Sequence, residues 1–198
     1  MIARARLLSV LAIVVGGAIA IISSTQTWLD VTLRAGANEP LAVPGASAMP
    51  ILAPLSLAAL ALGLALTVVG RVLRYVFGLL GVAIGGTLLI SAMRIGVEHP
   101  LDAVATVVTT STGLSGADAI SDLVGEVTGT FWPYAAAFAG LLILIGGVLA
   151  LTTAHRWRSG GRRYRRESAA AETSTGSRPH DAIDSWDDLS HGDDPTAR

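Results

Sequence analysis

Four stretches of this chain are apolar almost without interruption. They cover roughly residues 7–24 ("LLSVLAIVVGGAIAIISS"), 49–70 ("MPILAPLSLAALALGLALTVVG"), 72–93 (opening "VLRYVFGLLGVAIGG") and 131–153 ("FWPYAAAFAGLLILIGGVLALTT"). A helix rises about 1.5 Å per residue, so about 20 apolar residues cross the hydrocarbon of a bilayer. None of the four carries a charge in its central part. The pattern predicts an all-α integral membrane protein with four transmembrane helices. Pro50, Pro54 and Pro133 fall in first turns of the second and fourth runs, where a missing N–H disturbs a helix least.

The segments between the runs, 25–48 and 94–130, are patterned differently. From Trp28, Leu29, Val31 and Leu33 alternate with Asp30, Thr32 and Arg34 before a Gly-Ala-Asn turn, a short strand or hairpin signal. It reads as a connector before a binding lid. Pro100 can start a helix through Thr110 and Gly113 can end it, although the β-branched residues between them also suit a strand. In "SGADAISDLVGEVTG", residues 115–129, Ile120, Leu123, Val124 and Val127 recur at helical spacing, with Asp118, Asp122 and Glu126 on another face. That predicts an amphipathic surface helix with a solvated acidic stripe.

Composition agrees with the membrane reading: 52% of residues are hydrophobic and 15% charged, against about 25% charged in a soluble domain. There is no cysteine, which excludes disulfides and thiolate chemistry. All 14 basic residues are arginines, and they are segregated. Arg4 and Arg6 precede the first run, Arg71 and Arg74 lie between the second and third, and Arg156, Arg158, Arg162, Arg163, Arg165 and Arg166 follow the fourth. Only Arg34 and Arg94 fall in the other two loops. The positive-inside rule then places both termini in the cytoplasm of a multi-pass cell-membrane protein. Trp28, Trp132 and Tyr134 are expected in the outer aromatic belt, and Tyr75 and Trp157 in the inner one. A cleavable signal ending at "AIA", Ala18–Ala20, is the other reading of the first run, but the apolar stretch continues past it.

No metalloprotease, P-loop or nucleophile-elbow motif occurs, and His99, His155, His180 and His191 lack metal-ligand spacing. No catalytic residue, metal site or cofactor is expected. The spans lack buried charges of the kind that mark ion-coupled pathways. Gly81 with Gly85, and Ala136 with Gly140, form small-residue pairs that let helices approach closely. Packing within one bundle and pairing in a homo-oligomer account for them equally well.

The arginines from Arg156 to Arg166 read as a basic juxtamembrane segment, 155–166, that meets anionic lipid headgroups, and nucleic-acid binding is not needed to explain them. From Glu167 the chain becomes a low-complexity acidic tail, 167–198, expected to be disordered. Within it Ile183, Trp186 and Leu189 share one face of a short helix that Asp184 would cap and Gly192 and Pro195 would end. An apolar face with no core of its own points to docking on a cytoplasmic partner.

The ending "SWDDLSHGDDPT" resembles the C-terminal signature of the actinobacterial tryptophan-associated transmembrane proteins, a Trp-Asp-x-Leu stretch followed by Gly-acid-Asp-Pro-Thr. Trp186, Asp187, Leu189, Gly192, Asp193, Asp194, Pro195 and Thr196 match it, while Ser190 and His191 stand where the family more often has Asp-Arg. "TQTWLDVT" after the first run and "WPY" opening the fourth agree with the resemblance. It implies a link to tryptophan biosynthesis without implying a reaction. The expected function is therefore a non-enzymatic membrane accessory protein that docks a partner through its C-terminal motif. The alternative is a small transporter component for tryptophan or a related aromatic compound, with Ser9, Ser56, Thr67, Thr87 and Ser91 as the polar residues available to line a path.

Overall fold

A computed structural model describes residues 2–34 and 39–153. Along the chain it has α1 (Ile2–Ser24), β1 (Thr27–Leu33), β2 (Leu41–Pro44), the single turn α2 (Gly45–Ala48), α3 (Leu52–Ala65), α4 (Arg71–Glu98), α5 (Leu101–Thr112), α6 (Ala117–Leu123), β3 (Val124–Gly129) and α7 (Trp132–Thr153). Three helices, α1, α4 and α7, are long and apolar enough to cross a membrane.

The four apolar helices pack antiparallel, and glycine sets how closely they meet. A Cβ on Gly17 would lie 2.9 Å from Leu60 Cγ, and one on Gly63 2.7 Å from Val14, so α1 and α3 touch along their length. A Cβ on Gly16 would lie 2.7 Å from the Ala139 carbonyl, and one on Gly146 2.9 Å from that of Ser9, which brings α7 to the other side of α1. Gly78 and Gly85 of α4 lie against Gly147 and Gly140 of α7. Ala136 is fully buried in the same bundle. Lipid offers apolar groups as good a solvent as a protein interior does, so close van der Waals contact is what holds such helices together. The large apolar side chains that remain exposed, such as Leu7, Leu64, Leu79 and Ile90, are dispersed over the outside of these helices.

The second apolar run differs from its expectation. Only Leu52–Ala65 is α-helical. A 14-residue helix is about 21 Å long, less than the ~30 Å of bilayer hydrocarbon. Turns flank it on either side: Met49–Ile51 lead in, and Leu66–Val68 form a tighter last turn in which the amide of Thr67 donates to Leu64 O and that of Val68 to Ala65 O. Two arginines then close the end. The guanidinium of Arg74 donates to Val69 O at 3.0 Å while only 4% exposed, and that of Arg6 donates to Thr67 O. Cations at a helix C-terminus satisfy its orphan carbonyls and its dipole. Arg74→Ala is expected to lower stability by about 1–3 kcal/mol, read as a fall in the melting midpoint in detergent. An unchanged midpoint would mean that the arginine does not hold this end together.

At the other end of the bundle the loops build a layer of their own. β1 is the central strand of an antiparallel sheet of order β2-β1-β3, so segments far apart in sequence share one sheet. The protein is mostly helical, and the strand expected after Trp28 is present as β1. The sheet corrects the amphipathic helix expected over 115–129. The helix stops at Leu123 and Val124–Gly129 is a strand. The β-branched Val124, Val127 and Thr128 suit a pleated surface, and the edge of β1 is there to receive them. Leu29, Val31 and Val43 are fully buried on one face, whereas Thr32, Glu126 and Thr128 on the other are exposed.

The third apolar run also extends further than expected, with α4 continuing to Glu98. Arg94 pairs with Glu98 at 3.2 Å one turn on, which supports the helix beyond its apolar part. His99 ends it in the left-handed region, φ 44°, its amide donating to Ile95 O, and Pro100 then leads into α5.

Candidate functional site

A polar node joins the bundle to the sheet. Trp28 is fully buried, and its Nε1 donates to Ser23 O at 2.9 Å and to Ser23 Oγ at 3.1 Å. The Ser23 hydroxyl in turn donates to Trp132 O at 3.0 Å, so the last turn of α1, the first residue of β1 after Thr27 and the start of α7 are tied together. Thr130 closes the same corner, with its hydroxyl donating to Thr27 O at 2.7 Å and its amide to Trp28 O at 2.9 Å. Trp28 was expected at the lipid interface and is instead a structural core residue. Its neighbour in the sequence, Leu29, is equally buried, which an alternating pattern does not anticipate. Tyr134 is 41% exposed, with its hydroxyl donating to Gly96 O at 2.7 Å.

A groove of about 580 Å³ lies between α5 and α6. Its walls are Leu101, Ala105, Ala117 and Ile120, its polar groups Asp102, Thr106, Thr109 and Thr110. These residues of α5 recur at helical spacing and so share one face. Two glycines fold α6 back over that face. Gly113 at φ 73° caps α5 and Gly116 at φ 112° precedes α6, both in a region that side chains with a Cβ rarely enter. The hydroxyl of Thr110 bonds back to Thr106 O. Asp102 stands in the first turn of α5, 73% exposed, and faces Arg94 at 3.9 Å. A smaller cavity of about 80 Å³, reached by Ser91, Arg94 and Asp102 among others, adjoins it.

The candidate transport residues do not converge. Ser9 is buried and donates to Gly146 O at 2.7 Å, and Ser56 is buried and donates to Leu52 O at 2.6 Å. Thr67 bonds within its own turn at the arginine end, Thr87 is exposed, and Ser91 lies near the sheet end. Among the described residues no group of His, Asp and Glu could hold a metal ion. The helix-packing residues Gly81, Gly85, Ala136 and Gly140 all fall inside the bundle, with a Cβ on Gly81 3.4 Å from Gly147 Cα. The docking residues Ile183, Trp186, Asp187, Leu189, Gly192, Asp194, Pro195 and Thr196, and the headgroup arginines Arg156, Arg158, Arg162, Arg163, Arg165 and Arg166, lie outside the described residues.

The model of the tryptophan-associated transmembrane protein family matches residues 10–196. The chain belongs to that family. The match runs from α1 through the sheet and α7 to Thr196, so it takes in the bundle, the layer and the C-terminal Asp-Pro-Thr alike. No curated protein and no solved structure shows a match.

Proposed function

We propose that this family member is a non-enzymatic accessory protein of the cell membrane, associated with tryptophan biosynthesis, that holds a cytoplasmic partner through its C-terminal segment. The observation that carries this reading is how the bundle uses its polar groups. The buried hydroxyls of Ser9, Ser23 and Ser56 all donate to backbone carbonyls. A bundle whose polar groups satisfy one another is an anchor, since a path for a polar solute needs groups that face it. The working surfaces are then the two ends.

Four crossings with both termini in the cytoplasm fit the same geometry. α3 begins beside the sheet, where the amide of Gly45 donates to Gln26 O, and ends at the arginine end beside Arg6. It therefore runs between the same two ends as α1. The end that carries Arg6 and Arg74 is also the one where α7 finishes, at Thr153, ahead of the six clustered arginines. The positive-inside rule assigns that end to the cytoplasm.

The test uses the full chain in native membranes. Crosslinking and co-purification are compared between the wild type and Trp186→Ala. A partner enriched on the wild type and reduced about tenfold or more on the variant is the expected result, as for a tryptophan anchor at an interface. Equal recovery on both would end the docking model. Protein-dependent tryptophan flux into proteoliposomes that survives removal of residues 167–198 would replace it with the transporter reading.

A further inference from the structure

We propose that the groove between α5 and α6 is a binding site for a small amine: a molecule with one ammonium group on an apolar, ring-sized body. This goes beyond the docking reading and stands on different residues, so either can fail alone.

Size comes first. At about 580 Å³ the groove falls within the range of roughly 300–1,000 Å³ typical of small-molecule sites. Its chemistry follows from its walls. Leu101, Ala105, Ala117 and Ile120 offer apolar contact, and Ile120, midway along α6, is almost fully buried. Among the described residues Asp102 is the only charged one in the lining. Among them its carboxylate has one long ionic contact, to Arg94 at 3.9 Å, and Arg94 is engaged more closely by Glu98 at 3.2 Å. A carboxylate so placed retains acceptor capacity, and an ammonium is the donor that uses it best. Hydroxyls of Thr106 and Thr109 stand one and two turns further along the same face, positioned for the remaining N–H groups or for a polar substituent.

The surroundings choose the sign of the ligand. Seven carboxylates, among them Asp30, Glu98, Asp102 and Glu126, lie in the segments 25–48 and 94–130, against Arg34 and Arg94. A surface with that balance concentrates cations and repels anions. An apolar acid of equal size would meet the same walls and the wrong field.

The experiment uses the full chain in nanodiscs of zwitterionic lipid, with 2-phenylethylamine as probe and phenylacetate as its anionic counterpart, followed by saturation-transfer NMR and calorimetry. Saturable binding of the amine, with none of the acid, is expected. Asp102→Asn is expected to weaken it roughly tenfold or more. Glu126→Gln removes the same charge from the exposed face of the sheet, outside the groove, and is expected to change affinity less than about twofold, the screened effect of a surface charge that does not line the site. Ala117→Leu, which fills the groove and leaves every charge in place, is expected to abolish binding. Asp102 and Glu126 are both exposed, so their variants are expected to fold, and the melting midpoint checks it. Equal loss in Asp102→Asn and Glu126→Gln would reduce the effect to diffuse acidity and overturn the site, as would an absence of saturable binding or full binding in Ala117→Leu.

Discussion

Gly85→Ala is expected to destabilise the helix bundle by about 2–3 kcal/mol, the usual cost of forcing an extra methyl into a close-packed contact. The new Cβ would stand 2.7 Å from Gly140 O, with Leu144 N also in the way. Both obstacles are backbone, so no rotamer change relieves them, and α4 and α7 would have to separate. Gly147→Ala meets the same obstacle from the other helix, 2.7 Å from Val82 N. Gly86 is the control. Its Cβ would find nothing nearer than a Leu144 methyl at 4.0 Å, so Gly86→Ala is expected to be neutral or slightly stabilising, because alanine favours the helix by up to about 1 kcal/mol. Melting in detergent followed by circular dichroism reads all three. The same series separates the two explanations for the Gly81–Gly85 pair. If the pair served a dimer instead, Gly85→Ala would shift sedimentation from dimer to monomer and leave the melting of the monomer unchanged.

The positions of those glycines show what a sequence carries well. An uncharged apolar run announces a membrane helix because lipid tolerates little else, and α1, α4 and α7 fall where such runs are. Small residues spaced by four within a run mark a close-packed side, but not which helix takes it. Gly85 and Gly140 meet each other although 55 positions separate them, and nothing local pairs them. α3 was overestimated for a related reason. Apolar composition over 49–70 is the same in a helix and in the turns at 49–51 and 66–68, and the carbonyls past the helix, those of Thr67 and Val69, are met by Arg6 from the far N-terminus and by the nearby Arg74. The sheet was the least legible element. Val124, Val127 and Ile120 fit a helical face, and three acids spaced by four reinforced it, yet strand β3 forms because β1 offers it an edge nearly a hundred residues away. Tertiary pairing overrides a short periodicity. The groove was hidden with it: Asp102 and Ile120 belong to separate predicted elements until Gly113 and Gly116 bring them together.

Trp28→Ala is expected to have the largest effect of any single change, about 3–5 kcal/mol, as for a large aromatic removed from a closed core. Trp28 is fully buried where bundle and sheet join, and its loss would leave a cavity and also remove the indole bond to the Ser23 carbonyl, which keeps the Gln26 amide as donor. Trp28→Phe separates the two contributions. It retains most of the packing and removes the indole N–H, so it should cost about 0.5–1.5 kcal/mol, the net contribution of one hydrogen bond. Gly45 supplies the decisive check. A Cβ there would lie 2.5 Å from Trp28 Nε1, 2.7 Å from Cε2 and 2.9 Å from Ser23 O, so the indole ring and the end of α1 both require the glycine. Gly45→Ala alone should therefore be strongly destabilising, and less so once Trp28→Ala has removed the ring and left the Ser23 carbonyl. Residues in contact couple in a double-mutant cycle, typically by about 0.5–3 kcal/mol, whereas distant ones add. Strict additivity of Gly45→Ala and Trp28→Ala would mean that the indole does not pack on α2. Coupling of the expected sign would establish that one tryptophan, followed directly by a second buried residue in Leu29, fixes the sheet to the membrane bundle and with it the position of the groove.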